Sequence, residues 1–205
     1  ARRIANATGA RVLTVEYRLA PEHPYPHGLE DVLAAWAARD TNLRWSMAGD
    51  SAGANLALAA MLRLIEEGGP LPAQALLFYG VYGADFATPS YELYADGPGL
   101  TRAKMQRYWN WYAARELRDR PAVSPLAASD AALAALPPLY LNAAGLDPLC
   151  SDTERLAARL RALGRNDPFD LFEGVVHGFM QMGLALPEAR DAFQRAGAIF
   201  RKRAD

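Results

Sequence analysis

One serine stands between two glycines in Gly49-Asp50-Ser51-Ala52-Gly53. An apolar run, Leu43 to Ala48, precedes it, and an Ala- and Leu-rich run, Ala54 to Glu67, follows. A G-x-S-x-G turn between a strand and a helix holds the serine in a strained conformation, with its Oγ projecting above the strand end. The flanking positions must be small because strand and helix approach closely there. The helix N-terminus behind the serine offers N–H groups and a positive dipole end to a developing oxyanion. The chemistry this arrangement serves is acyl transfer. The plain alternative is a serine N-cap after a glycine turn; the strand-then-helix context favours the nucleophile.

A serine hydroxyl needs a base, and the base needs an orienting acid. Around a strand–turn–helix serine these partners follow in the order acid, then histidine. The chain has three histidines. His23 and His27 lie upstream, in a proline-rich stretch, whereas His177 lies downstream in Val175-Val176-His177-Gly178-Phe179. A lone histidine is more often a surface or structural residue, but order and position at a strand end single out His177. Asp147, in Gly145-Leu146-Asp147-Pro148-Leu149, is the candidate acid. Asp152 competes with it, and Asp147 could instead cap a helix or close a turn. Asp147 is preferred because it sits nearest the strand's carboxyl end, where sites form in open α/β sheets.

The elements that must position these residues alternate. Strands are expected at 12–15, 43–48, 74–79, 139–144 and 169–172, with helices at 29–39, 54–67, 151–163 and 187–202. Ser151 and Glu154 suit a capping box at the start of the third of these helices. Tyr17 to Gly28 carries three prolines and reads as a loop. The pattern predicts an α/β fold, a mostly parallel sheet flanked by helices, in a single domain over 1–205. Residues 82–120 break the rhythm. Aromatic, with a helical stretch over 102–117, they read as an insertion or cap-like segment packed over the sheet.

Composition sets bounds. Hydrophobic residues are 51%, charged residues 22% and net charge -1, so nothing global draws the chain to nucleic acid or an anionic membrane. No apolar run approaches the roughly 18 residues of a spanning helix. The single cysteine, Cys150, gives no disulfide framework. No metal-ligand cluster, phosphate loop or dinucleotide fingerprint is visible, so no metal and no cofactor is expected.

Several blocks together carry a family resemblance: Tyr17-Arg18-Leu19-Ala20-Pro21-Glu22-His23-Pro24-Tyr25-Pro26, Gly49-Asp50-Ser51-Ala52-Gly53-Ala54-Asn55-Leu56-Ala57, Ser124-Pro125-Leu126, Leu136-Pro137-Pro138, Gly145-Leu146-Asp147-Pro148-Leu149 and His177-Gly178-Phe179. The chain resembles the hormone-sensitive-lipase-like branch of the α/β-hydrolases, a group of carboxylesterases and lipases, along nearly all its length. The resemblance implies Ser51 as nucleophile, His177 as general base, Asp147 as its orienter and the Ala52 N–H as one oxyanion donor. It implies a small-molecule substrate, a small to medium acyl ester. Asp50, Phe86 and Trp109 are the candidate pocket residues, and Glu22 a loop-fixing one. A cytoplasmic chain is expected, with a homodimer as one state open to it.

The family also carries an HGGG-type motif upstream of the tyrosine block, whose N–H groups complete the oxyanion hole. These 205 residues contain none. In the family's sheet order a third strand lies between those ending near Tyr17 and Ala48. Its absence would open a central gap, which a stable domain does not tolerate. The expectation is therefore an N-terminally truncated chain, or one whose remaining strands have slid together. An esterase and a catalytically impaired or ligand-binding relative both stay open. The receptors of this branch lack the triad histidine, so His177 favours the esterase.

Overall fold

The computed structural model describes residues 1–203. Four parallel strands form one sheet in the order β1 (Met47–Asp50), β2 (Ala75–Phe78), β3 (Leu139–Leu146) and β4 (Phe169–Val176). The sheet is flanked by helices on both faces, as the alternation predicts. Side chains alternate across a strand, and β2 shows the consequence. Ala75 and Leu77 join a core with Leu58, Met61 and Leu64 of α3 (Ala52–Glu66), Leu29 and Trp36 of α2 (His27–Ala37), Leu133 of α6 (Asp130–Ala134) and Leu156 of α7 (Cys150–Ala162). Leu76 and Phe78 face the opposite side, where Ala189, Ala192 and Ala196 of α8 (Pro187–Lys202) pack beside Phe172 and Phe179. Small residues on α8 let it lie close to the sheet. A short helix the sequence reading missed, α1 (Arg2–Thr8), crosses α8 at Gly197, where a Cβ would overlap the Ala7 carbonyl.

The expected strand at 12–15 does not form. Val12 and Leu13 are exposed, and the segment joins no ladder among the described residues. β-branched residues favour a strand only where a neighbouring strand and a buried face are supplied. The remaining strands have not slid together either: β1 is an outer strand, with Ala48 and Asp50 exposed. The second expected strand starts later than its apolar run. Leu43 N–H donates to Asp40 O at 3.2 Å and Asn42 N–H to Asp40 Oδ1 at 2.9 Å, so residues 40–43 turn before the strand begins.

Within 82–120, α4 (Pro89–Leu93), α5 (Arg102–Tyr112) and a 3-10 turn at Arg115–Leu117 follow one another. The helix predicted to 117 stops at Tyr112, because Ala113 is extended. Tyr91, Met105, Trp109 and Ala113 share a third core with Val81, Val123 and Leu149.

Candidate active site

The serine turn is built by close approach. Ser51 sits between β1 and α3 with φ 53 and ψ -117, a region that costs a residue with a side chain on the order of 1–3 kcal/mol. Its N–H donates to Phe78 O at 2.9 Å, which ties the turn to β2. A Cβ at Gly49 would overlap the Gly53 carbonyl and lie 2.6 Å from Ala54 N, so this position must be glycine. Ser51 is not a capping residue: its side chain makes no cap hydrogen bond to α3. The hydroxyl points elsewhere.

It points to His177. Ser51 Oγ lies 2.8 Å from His177 Nε2, and His177 Nδ1 lies 2.7 Å from Asp147 Oδ2. A carboxylate accepts only, so Nδ1 carries the proton and Nε2 is free to accept from the serine hydroxyl. The three residues come from the carboxyl ends of β1, β3 and β4. A register shift between Ala144 and Leu146, and Gly174 at φ 73 on the facing strand, bend the β3–β4 pair just before the acid and the histidine. Gly178, at φ 76, then turns the chain away from His177. Asp147 is fully buried, and its second oxygen accepts from Leu149 N–H at 2.9 Å. That bond anchors the carboxylate at the start of α7. The capping box expected there is not made: Ser151 lies inside the helix, and its Oγ accepts from Ser90 N–H at 3.2 Å.

The competitor Asp152 faces the other way. Its Oδ2 accepts from Tyr82 N–H at 2.8 Å and Gly83 N–H at 2.9 Å, in the segment leaving β2. It is fully buried, and burial pushes its carboxyl up to about 7 against the partial opposition of those two bonds. Asn55, one turn into α3, secures the same segment: its Nδ2 donates to Val81 O at 2.7 Å and Val123 O at 3.0 Å.

The other candidate residues fall in different places. Ala52 is the first residue of α3, where N–H groups have no intrahelical acceptor. Asp50 is exposed beside the serine, with Oδ2 3.5 Å from the Tyr79 hydroxyl. Phe86 stacks edge-on against Tyr91 and lines a cavity of about 780 Å³ with Gln106, Asn110, Arg115 and Arg118. Ser51, Asp147 and His177 do not line that cavity. Trp109 is packed in the third core beside Tyr112, so its ring lines neither the cavity nor the serine; an aromatic on the buried face of α5 serves packing first. Glu22 is exposed and makes no hydrogen bond or ion pair among the described residues. The loop is held instead by Arg18, which grips Asp31 with its Nε, Nη2 and main-chain N–H. Those bonds lower the Asp31 carboxyl to about 2. Tyr79 also belongs to the site, though no motif in the sequence marks it. Its ring lies edge-on to His177 with centroids 5.2 Å apart, and only the positive φ of a non-glycine residue at a strand end marks it.

Known proteins resemble the chain in sequence and in fold. The chain is 35% identical over 218 residues to carboxylesterase NlhH of Mycobacterium tuberculosis, covering 97% of this chain and 66% of that protein. It is 37% identical over 204 residues to esterase LipI of the same organism, covering 95% of this chain and 63% of LipI. The chain thus spans about two thirds of the length of these curated relatives. A thermostable esterase from Pseudomonas putida superposes with a TM-score of 0.92 at 30% identity, covering 100% of this chain and 67% of that one. The esterase of Pyrobaculum calidifontis gives 0.89 at 32% identity, covering 99% and 69%. A family model described as alpha/beta hydrolase fold matches residues 1–181, and the chain belongs to that family.

Proposed function

We propose that the chain is a serine carboxylesterase acting on small to medium acyl esters. Ser51 Oγ attacks the acyl carbon while His177 Nε2 takes its proton. Asp147 holds the ring in the Nδ1–H tautomer and stabilises the imidazolium that forms. The Ala52 N–H, at the positive end of α3, receives the oxyanion. Collapse of the tetrahedral intermediate breaks the bond to the leaving alcohol, which takes the proton back from His177. Water, deprotonated by the same nitrogen, then attacks the acyl-enzyme, and Ser51 leaves with the proton.

The observation that supports this most is the unbroken relay Ser51–His177–Asp147, with both bonds under 3 Å and the acid fully buried. The relatives' names, carboxylesterase and esterase, agree with it. The test sets the chain beside Ser51→Ala on p-nitrophenyl esters from acetate to decanoate. Hydrolysis by the first and not the second is expected; equal background rates would sink the proposal.

A second reading is favoured by one feature. The 205 residues hold no HGGG-type stretch, so within them the oxyanion rests on Ala52. One missing donor costs about 2.7–4 kcal/mol, or 10²–10³ in rate. On this reading a fluorophosphonate probe labels Ser51 while ester turnover stays near background.

A further inference from the structure

We infer that Tyr79 is a positioning residue that fixes the tilt of the His177 imidazole; this rests on reading His177 as the general base. The two hydrogen bonds at Nδ1 and Nε2 hold the ring at its ends. Small swings about the two rotatable bonds of the side chain stretch these hydrogen bonds without breaking them. A contact from the side narrows those swings, and the Tyr79 ring supplies it, edge-on at an interplanar angle of 71°. Tyr79 is itself wedged from behind by Phe179, with centroids 5.7 Å apart, and Phe172 backs Phe179 at 5.2 Å. The tyrosine is buried, so its ring has no open space to retreat into.

The backbone is committed to this placement. Tyr79 has φ 35, a left-handed conformation that a residue with a Cβ avoids unless its surroundings impose it. What imposes it is Asn142 on β3. The Tyr79 N–H donates to both Asn142 O at 2.8 Å and Asn142 Oδ1 at 3.1 Å. The Asn142 amide in turn reaches Met180 Sδ at 3.5 Å, in the segment that follows His177. At the far end of the ring the hydroxyl reaches toward Asp50, the residue before the nucleophile, at the outer limit of a hydrogen bond. Burial, together with the charges of Asp50 and Asp147, pushes the phenol well up, so it stays protonated and donates. One side chain thereby touches the serine strand and the base, and its backbone grips the strand that carries the acid.

The experiment compares Tyr79→Phe, which keeps the ring, with Tyr79→Leu, which keeps apolar bulk without it. Tyr79→Met repeats the second case with a more flexible side chain. The readouts are kcat and KM on p-nitrophenyl butyrate, and the His177 Nδ1–H proton resonance, assigned by its loss in His177→Gln. Tyr79→Phe, which keeps the ring but loses the hydroxyl's reach to Asp50, is expected to lower kcat no more than a few-fold and to leave the resonance in place. Tyr79→Leu and Tyr79→Met should lower kcat by about 10²-fold with KM little changed, the scale of a small misplacement of a catalytic group. They should also shift or broaden the resonance. A folded leucine or methionine variant with unchanged kcat and an unmoved resonance would overturn the inference. If the wild type hydrolyses no ester, yet the resonance moves in the leucine variant and not in the phenylalanine one, the esterase proposal falls and the positioning role stands.

Discussion

Replacing Asp152 by Asn should change how stability depends on pH, and the size of the change follows from its surroundings. The Asp152 carboxyl is buried behind Asp147, with one oxygen held by the N–H groups of Tyr82 and Gly83 and the other without a partner among the described residues. Burial raises it from 3.8 to about 7. Below 3.8 both folded and unfolded chains keep the proton, and the group costs nothing. Between 3.8 and about 7 the unfolded chain loses it and the folded chain keeps it, so stability falls as pH rises. Above about 7 both are ionised and the full penalty stands. At about 1.4 kcal/mol per pH unit, that gap comes to about 4 kcal/mol. Asparagine has the shape of the protonated acid, still accepts both N–H bonds through its carbonyl, and cannot ionise.

Urea unfolding of wild type and Asp152→Asn at about pH 4.5 and about pH 8 isolates this term, since every other titrating group is shared. Most of the penalty develops between those two conditions. The stability difference should therefore move by about 3 kcal/mol in favour of the asparagine variant as pH rises. A difference that stays constant across the range would refute the reasoning. It would mean that Asp152 titrates alike in the folded and unfolded chain, despite its burial.

Asp147→Asn should lower kcat by about 10⁴-fold on p-nitrophenyl esters with fluorescence-monitored folding retained, because the amide favours the wrong imidazole tautomer. Gly49→Ala forces a Cβ into the Gly53 carbonyl and should cost about 3 kcal/mol, read as a large fall in the urea midpoint or as loss of soluble protein. Asn55→Leu leaves the Val81 and Val123 carbonyls without their amide donor and should cost about 2–3 kcal/mol in the same measurement.

What could be read from the sequence divides along physical lines. The serine turn was legible because its constraint is local. Gly49 states in residue type that strand and helix touch, and Ser51 takes φ 53 in the turn between them; Gly53, expected to be small for the same reason, has nothing within 4 Å of where a Cβ would sit, so packing does not require glycine there. α8 was expected at Pro187–Lys202 and forms there, with its apolar residues Ala189, Ala192, Phe193, Ala196 and Phe200 packed toward the sheet. Val12 to Val15 misled because β propensity states a preference for a pleated, half-buried surface without saying whether a partner strand is present. Ser151 and Glu154 misled differently. The capping pattern was real, but no side chain caps α7: Leu149 stands at its N-cap, and Ser151, inside the helix, was drawn to Ser90. Tyr79 could not be read at all: its importance lies in what it touches across three strands, which no spacing along the chain encodes.

The same division explains why the relay is assembled although β1 has no outer neighbour among the described residues. Serine, acid and histidine come from β1, β3 and β4, and the strand between the first two is β2. Every bond that aligns them runs inward from β1: Ser51 N–H to Phe78 O, Tyr79 N–H to Asn142, Val81 N–H to Ser51 O. The outer edge of β1 carries none of them. No bond of the relay that moves the proton from Ser51 to His177 therefore calls on an outer neighbour. On the second reading, labelling by a fluorophosphonate, which needs the activated serine, and ester turnover, which also needs oxyanion stabilisation at both steps, separate. Labelling then depends on bonds that the four strands supply, and turnover on the donors that meet the oxyanion. If both are lost together in the wild-type chain while it remains folded, the inward bonds are insufficient and the edge of β1 governs the serine as well.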